Sequence, residues 1–134
     1  MYLYLLNEKE GAAFMELAAL AIGVSGMDTD YKEAGFDAYL MELNLPEYKI
    51  QRLSFEQAVT FLKSSSIKIK RTVIMELCGV LNVGSGIAKE GLDWIYRLSD
   101  SLNLNRAETD RLIRWSNDFS DFLEIGLMYI NAKS

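Results

Sequence analysis

The sequence predicts an all-α fold, and three observations carry that expectation. Apolar residues recur at helical spacing along most of the chain, and several of these stretches follow a residue suited to a helix N-cap. No segment reads as a convincing strand; Ile67-Lys68-Ile69-Lys70 alternates, but too briefly and too close to a strong helical pattern. The two halves of the chain also repeat one another. Phe14-Met15-Glu16-Leu17 through Ser25-Gly26-Met27 matches Ile74-Met75-Glu76-Leu77 through Ser85-Gly86-Ile87 at an offset of 60 residues.

The elements follow in order. Asn7, with Glu10 three residues on, is a cap and N3 partner for a helix over about residues 8–23. Thr29 suits the cap of a second helix running to about Leu43, and Pro46, the only proline, stands near the first turn of a short third segment. Ser54 opens a helix over Phe55 to Lys63, and Ser64-Ser65-Ser66 separates it from another over Ile67 to Asn82. A helix from about Ala88 to Leu102 comes next; then Asn105 and Glu108 form a further candidate capping box. From Arg106 the pattern stays helical to about Asn131, with a break expected near Ser116-Asn117-Asp118.

Both repeats continue alike. Phe36, Tyr39, Leu40 and Leu43 correspond to Trp94, Ile95, Leu98 and Leu102, closing on Asn44-Leu45 and Asn103-Leu104. Related helical units pack about a pseudo-two-fold axis and bury their apolar faces together. The expected architecture is one domain over residues 1–134, with three-helix units at about 8–53 and 67–117. A linker helix at about 54–64 joins them and a C-terminal helix at about 118–131 follows. At 134 residues and 15.2 kDa, the folded chain should expose about 7,100 Å² against about 22,000 Å² unfolded, enough burial for a core without staples.

Composition narrows the chemistry by exclusion. The chain has no histidine, which removes imidazole bases, Ser-His-Asp and Cys-His systems and every imidazole metal site. Its single cysteine, Cys78, excludes an internal disulfide and multi-cysteine metal sites, and its apolar helix makes it a small core residue. Net charge is −5 but uneven: residues 1–49 hold nine acids and three bases, residues 50–72 one acid and five bases. An acidic chain repels nucleic acid over most of its surface, so no nucleic-acid partner is expected. Lys63, Lys68, Lys70 and Arg71 form the basic exception, a patch for an acidic partner if it is more than a solvated face. Met1 to Leu6 lacks a cationic n-region, and no apolar run approaches the length of a membrane span. The expected location is the cytoplasm.

An apolar helix with a mid-helix glutamate, a short loop of small residues, an Ile or Met, a second helix and then Asn-Leu resembles the TerB-like domain associated with tellurite resistance. The resemblance covers most of the chain in two copies, Met15-Glu16-Leu17 to Leu45 and Met75-Glu76-Leu77 to Leu112. Where that family's loop typically reads Ala-Asp-Gly, Val24 and Gly84 stand in the aspartate place and Ser25 and Ser85 in the glycine place; Gly91 stands where glutamate is frequent. The resemblance implies a small helical binding or scaffold module in a bacterial stress-related system.

Glu16 and Glu76 are the sharpest single residues. Each sits on an almost wholly apolar helix beside small neighbours, Ala12 and Ala19 for one, Thr72 and Gly79 for the other. Close helix approach could bring the two carboxylates together to share a proton or bind a cation. The simpler readings put both on exposed faces, which is the leading expectation, or give each a tyrosine or backbone donor. Asp28 and Asp30 add oxygen ligands for calcium or magnesium, though they lack an EF-hand ladder and suit the start of a helix. The segment Phe119 to Ile130 is heavily apolar. Its first reading is insertion into the chain's own core, and its second is a homodimer seam through Phe119, Phe122, Leu127 and Tyr129. The expected function is a non-enzymatic interaction or scaffold module without a cofactor and with an unidentified protein partner. The alternative is a divalent-metal-binding or hydrolytic domain using Glu16 and Glu76.

Overall fold

In the computed structural model, which describes residues 1–25, 35–82 and 86–133, a 3₁₀ turn at Leu3–Leu5 precedes six helices among those residues. They are α1 (Glu8–Val24), α2 (Phe36–Glu42), α3 (Phe55–Thr60), α4 (Ile67–Leu81), α5 (Lys89–Ser101) and α6 (Arg106–Asn131). No strand occurs among the described residues, so the all-α expectation holds. Thr29, the expected cap of the second helix, lies outside them.

Local chemistry accounts for most helix starts. Asn7 and Glu10 close a full capping box, Asn7 Oδ1 accepting from Glu10 N at 2.8 Å and Glu10 Oε1 from Asn7 N at 3.0 Å. Ser54 and Gln57 do the same for α3, and Ser66 caps α4. At α6 half of the expected box forms: Asn105 accepts from Glu108 N at 2.7 Å, but the Glu108 carboxylate is taken by Arg71. The stops are equally legible. Asn44 and Asn103 adopt φ of 59° and 63°, and each follows its helix as the left-handed residue of a Schellman turn. Leu45 N donates to Leu40 O at 2.8 Å and Leu104 N to Ser99 O at 3.0 Å, with Asn44 N and Asn103 N closing the inner rings. The repeated Asn-Leu pair therefore ends α2 and α5 by one device.

Helix α1 is buried nearly all round, contributing Phe14, Met15, Leu17, Ala18, Ala21 and Ile22 to the core. It packs on α3, α4 and α5, while α6 lies along α4 and α5. A Cβ on Gly11 would stand 3.0 Å from Leu43 Cδ2, so glycine admits the turn after α2 against α1. Helices α4 and α5 add Val73, Ile74, Leu77, Leu81, Ile95 and Leu98, each worth about 2 kcal/mol by burial alone.

Three expectations are corrected. The segment opened by Pro46 forms no helix but a turn and an irregular run to Leu53 with Arg52 left-handed at φ 58°, its Gln51 and Leu53 N–H groups bonding to Glu16. No break interrupts α6 near Ser116-Asn117-Asp118: the helix is continuous for 26 residues, with Ser116 buried and Asn117 Oδ1 accepting from Asn82 Nδ2 at 3.3 Å. Insertion of the C-terminal segment into the chain's own core also fails. The last turns of α6 run past the end of α4, leaving their apolar side chains exposed.

The left-handed caps give a direct test. Asn44→Gly and Asn103→Gly should leave stability within about 0.5 kcal/mol, whereas Asn44→Val and Asn103→Val should each cost about 1–2 kcal/mol in urea unfolding.

Candidate functional site

Glu16 lies mid-way along α1 and is 1% exposed, which overturns the exposed-face expectation. Its carboxylate finds donors on the irregular run between α2 and α3: Tyr48 OH and Gln51 N donate to Oε2, the latter at 2.8 Å, and Leu53 N donates to Oε1 at 3.0 Å. Burial and the adjacent carboxylate push the Tyr48 phenol well above its ordinary pKa, so it stays a donor at physiological pH. The sequence offered a tyrosine or backbone donor as one possibility but did not single out Tyr48. No periodicity marks it, because it sits in irregular chain.

Glu76 on α4 serves a different segment. Its Oε1 accepts from Tyr2 N at 2.6 Å and lies 3.3 Å from the Met1 ammonium. Glu42, another residue the sequence did not flag, accepts from Leu3 N at 3.2 Å and pairs with Met1 at 2.9 Å. Glu16 therefore holds two main-chain N–H groups and a phenol of one segment, and Glu76 one main-chain N–H and the ammonium of another. Among the described residues they share no partner. Gly79 is exposed, and a Cβ there would meet nothing within 4 Å, so it mediates no close helix approach. No group of three or more metal-ligating side chains occurs among the described residues; Asp28 and Asp30 lie outside them.

The basic residues separate. Lys68 and Arg71 rim one groove, with Arg71 bonded to Glu108. Lys63 borders a cleft with Glu56 and Arg97. Lys70, two residues from Lys68, falls on another side of α4. Cys78 is buried, and desolvation raises its thiol to about pKa 12, as suits a core residue.

The end of α6 is the exposed feature. Phe122, Leu123, Ile125, Leu127, Met128, Tyr129 and Ile130 are 47–79% exposed. Phe119 is half-buried and stacks on Trp115, with centroids 5.3 Å apart and planes 7° from parallel. Trp115 also meets Tyr2, at 6.1 Å. Beside it opens an apolar groove of about 330 Å³ lined by Tyr2, Leu5, Met75, Leu112 and Trp115. Because Glu76 anchors Tyr2, that carboxylate sets one wall of the groove. Among the described residues, no helix is long and apolar enough to cross a membrane.

No family model, curated protein or solved structure matches the chain. Its function is therefore argued from this geometry.

Two tests follow from the buried groups. In Glu16→Gln one oxygen becomes an amide donor facing donors, so unfolding should become easier by about 1–3 kcal/mol, and neither calcium nor magnesium should restore it. Cys78 yields a pH dependence. Its folded pKa is raised, so its contribution is complete below about pH 9 and is lost as pH rises from there toward 12, at up to about 1.4 kcal/mol per pH unit. Stability measured across that window should fall less steeply in Cys78→Ala than in the natural chain.

Proposed function

We propose that this chain is a non-enzymatic interaction module whose docking element is the C-terminal third of α6. The observation that carries the reading is the run of seven large apolar side chains left exposed on one helix. At ~200 Å² for a large side chain, roughly two-thirds exposed on average, they present on the order of 900 Å². A typical monomer's largest apolar patch is about 300–600 Å². The interior supports the same reading: Glu16 spends both oxygens on donors of one segment, Tyr48 OH, Gln51 N and Leu53 N, and Glu76 Oε1 serves Tyr2 N and the Met1 ammonium. Kinship with TerB-like modules belongs to this proposal too, supported by the paired Asn-Leu caps and the paired glutamates.

The test separates surface from core. Phe122→Glu and Leu127→Glu should leave the unfolding free energy within about 0.5 kcal/mol, the range of surface changes, when measured at concentrations where the chain is monomeric. Loss of folding in either variant would return the segment to the core and end the reading.

A further inference from the structure

Three features of α6 converge on what covers its exposed end. The first is spacing. Leu112, Trp115, Phe119, Phe122, Gly126 and Tyr129 follow one another at alternating intervals of three and four, the seam of a coiled coil over nearly three heptads. The seam runs from Leu112, partly buried against the core, past Trp115 and half-buried Phe119, out along the exposed end, where no helix among the described residues covers it. The second is Gly126. A mid-helix glycine costs about 1 kcal/mol relative to alanine, yet a Cβ there would meet nothing within 4 Å. The monomer gives no reason for it. The third is charge: Asp118, Asp121 and Glu124 make the polar face of this stretch acidic, with Lys133 following the helix end.

We propose that the exposed end of α6 is covered by a second copy of this chain, its α6 running antiparallel across a two-fold axis between Phe119 and Phe122. The inference rests on the docking role assigned above. In that register every seam position faces a seam position: Leu112 meets Tyr129 of the partner subunit, Trp115 meets Gly126 of the partner subunit, and Phe119 meets Phe122 of the partner subunit. The indole, the bulkiest knob, falls opposite the residue without a side chain. The axis also keeps both domains on the same side of the helix pair. The face of α6 buried at Ile113 and Ser116 continues through Leu123, Leu127 and Ile130, so those residues turn toward the other copy's domain. Area agrees: the seven exposed side chains at the end of α6 present on the order of 900 Å², and a stable interface takes about 800 Å² from each partner. A lipid surface fits less well, because interfacial helices carry lysine and arginine on the polar face where this one carries acids.

Light scattering at about 100 μM should give twice the chain mass, and spin labels on Asn131→Cys should lie roughly 30 Å apart, twice their axial offset from the two-fold plus helix separation. Gly126→Leu should raise the dimer dissociation constant at least tenfold with helical content unchanged, and Trp115→Ala combined with Gly126→Leu should recover most of that loss. A monomeric natural chain, labels within about 15 Å as in a parallel pair, or unaltered dimerisation in Gly126→Leu would each overturn the proposal. A monomer in which Phe122→Glu still folds ends the second-copy inference but leaves the docking role standing, whereas unfolding of Phe122→Glu ends both.

Discussion

The carboxylate of Glu16 sits where a charge should not be, and the route of the chain follows from that. Removing an ion from water costs several kcal/mol unless donors replace the hydration shell. Here the replacements are Tyr48 OH, Gln51 N and Leu53 N, all on one irregular run. Binding these three donors at one carboxylate ties the segment after Pro46 across α1. It then delivers Ser54 in position to cap α3, whose Phe55, Ala58 and Val59 close the core against α1. The Arg97 guanidinium 3.8 Å above the Phe55 ring ties the same helix to α5.

Glu76 repeats the device at the edge of the molecule. It holds Tyr2 by its main chain, and the Tyr2 ring meets Trp115. One carboxylate therefore organises the interior and its counterpart shapes the surface groove. The two carboxylates serve separate segments, Tyr48 to Leu53 for Glu16 and Met1 with Tyr2 for Glu76, so their pairing in sequence does not become a shared cleft.

Much of the fold was legible because it is written in local rules. Asn7, Ser54, Ser66 and Asn105 mark helix starts by bonding N–H groups two or three residues on, and Asn44 and Asn103 mark stops by tolerating a left-handed backbone. What escaped was decided by distant partners. Nothing near Pro46 says that its segment will be claimed by a glutamate some 30 residues earlier, and nothing near Glu108 says that Arg71 will take it from its cap. The surface position first expected for Glu16 failed for the same reason: its stripe of small neighbours suits exposure and burial alike, and the deciding donors lie elsewhere in the chain.

The end of α6 was ambiguous in another way. Apolar spacing states that a face is covered, not what covers it, so own core and partner read identically in sequence. Geometry removes the own-core reading for Phe122 to Ile130. Arg71 meets Glu108 and Asn82 meets Asn117, so α4 and α6 run parallel, and α4 ends at Leu81 while α6 continues to Asn131. The last three turns have outrun their support. A helix that kept its apolar face there by accident would gain from alanine at position 126 and from polar residues at 122 and 129. Glycine at 126 and aromatics at 122 and 129 instead go against local helix preference where the domain's own packing asks nothing of them, and such departures concentrate at functional or strained sites.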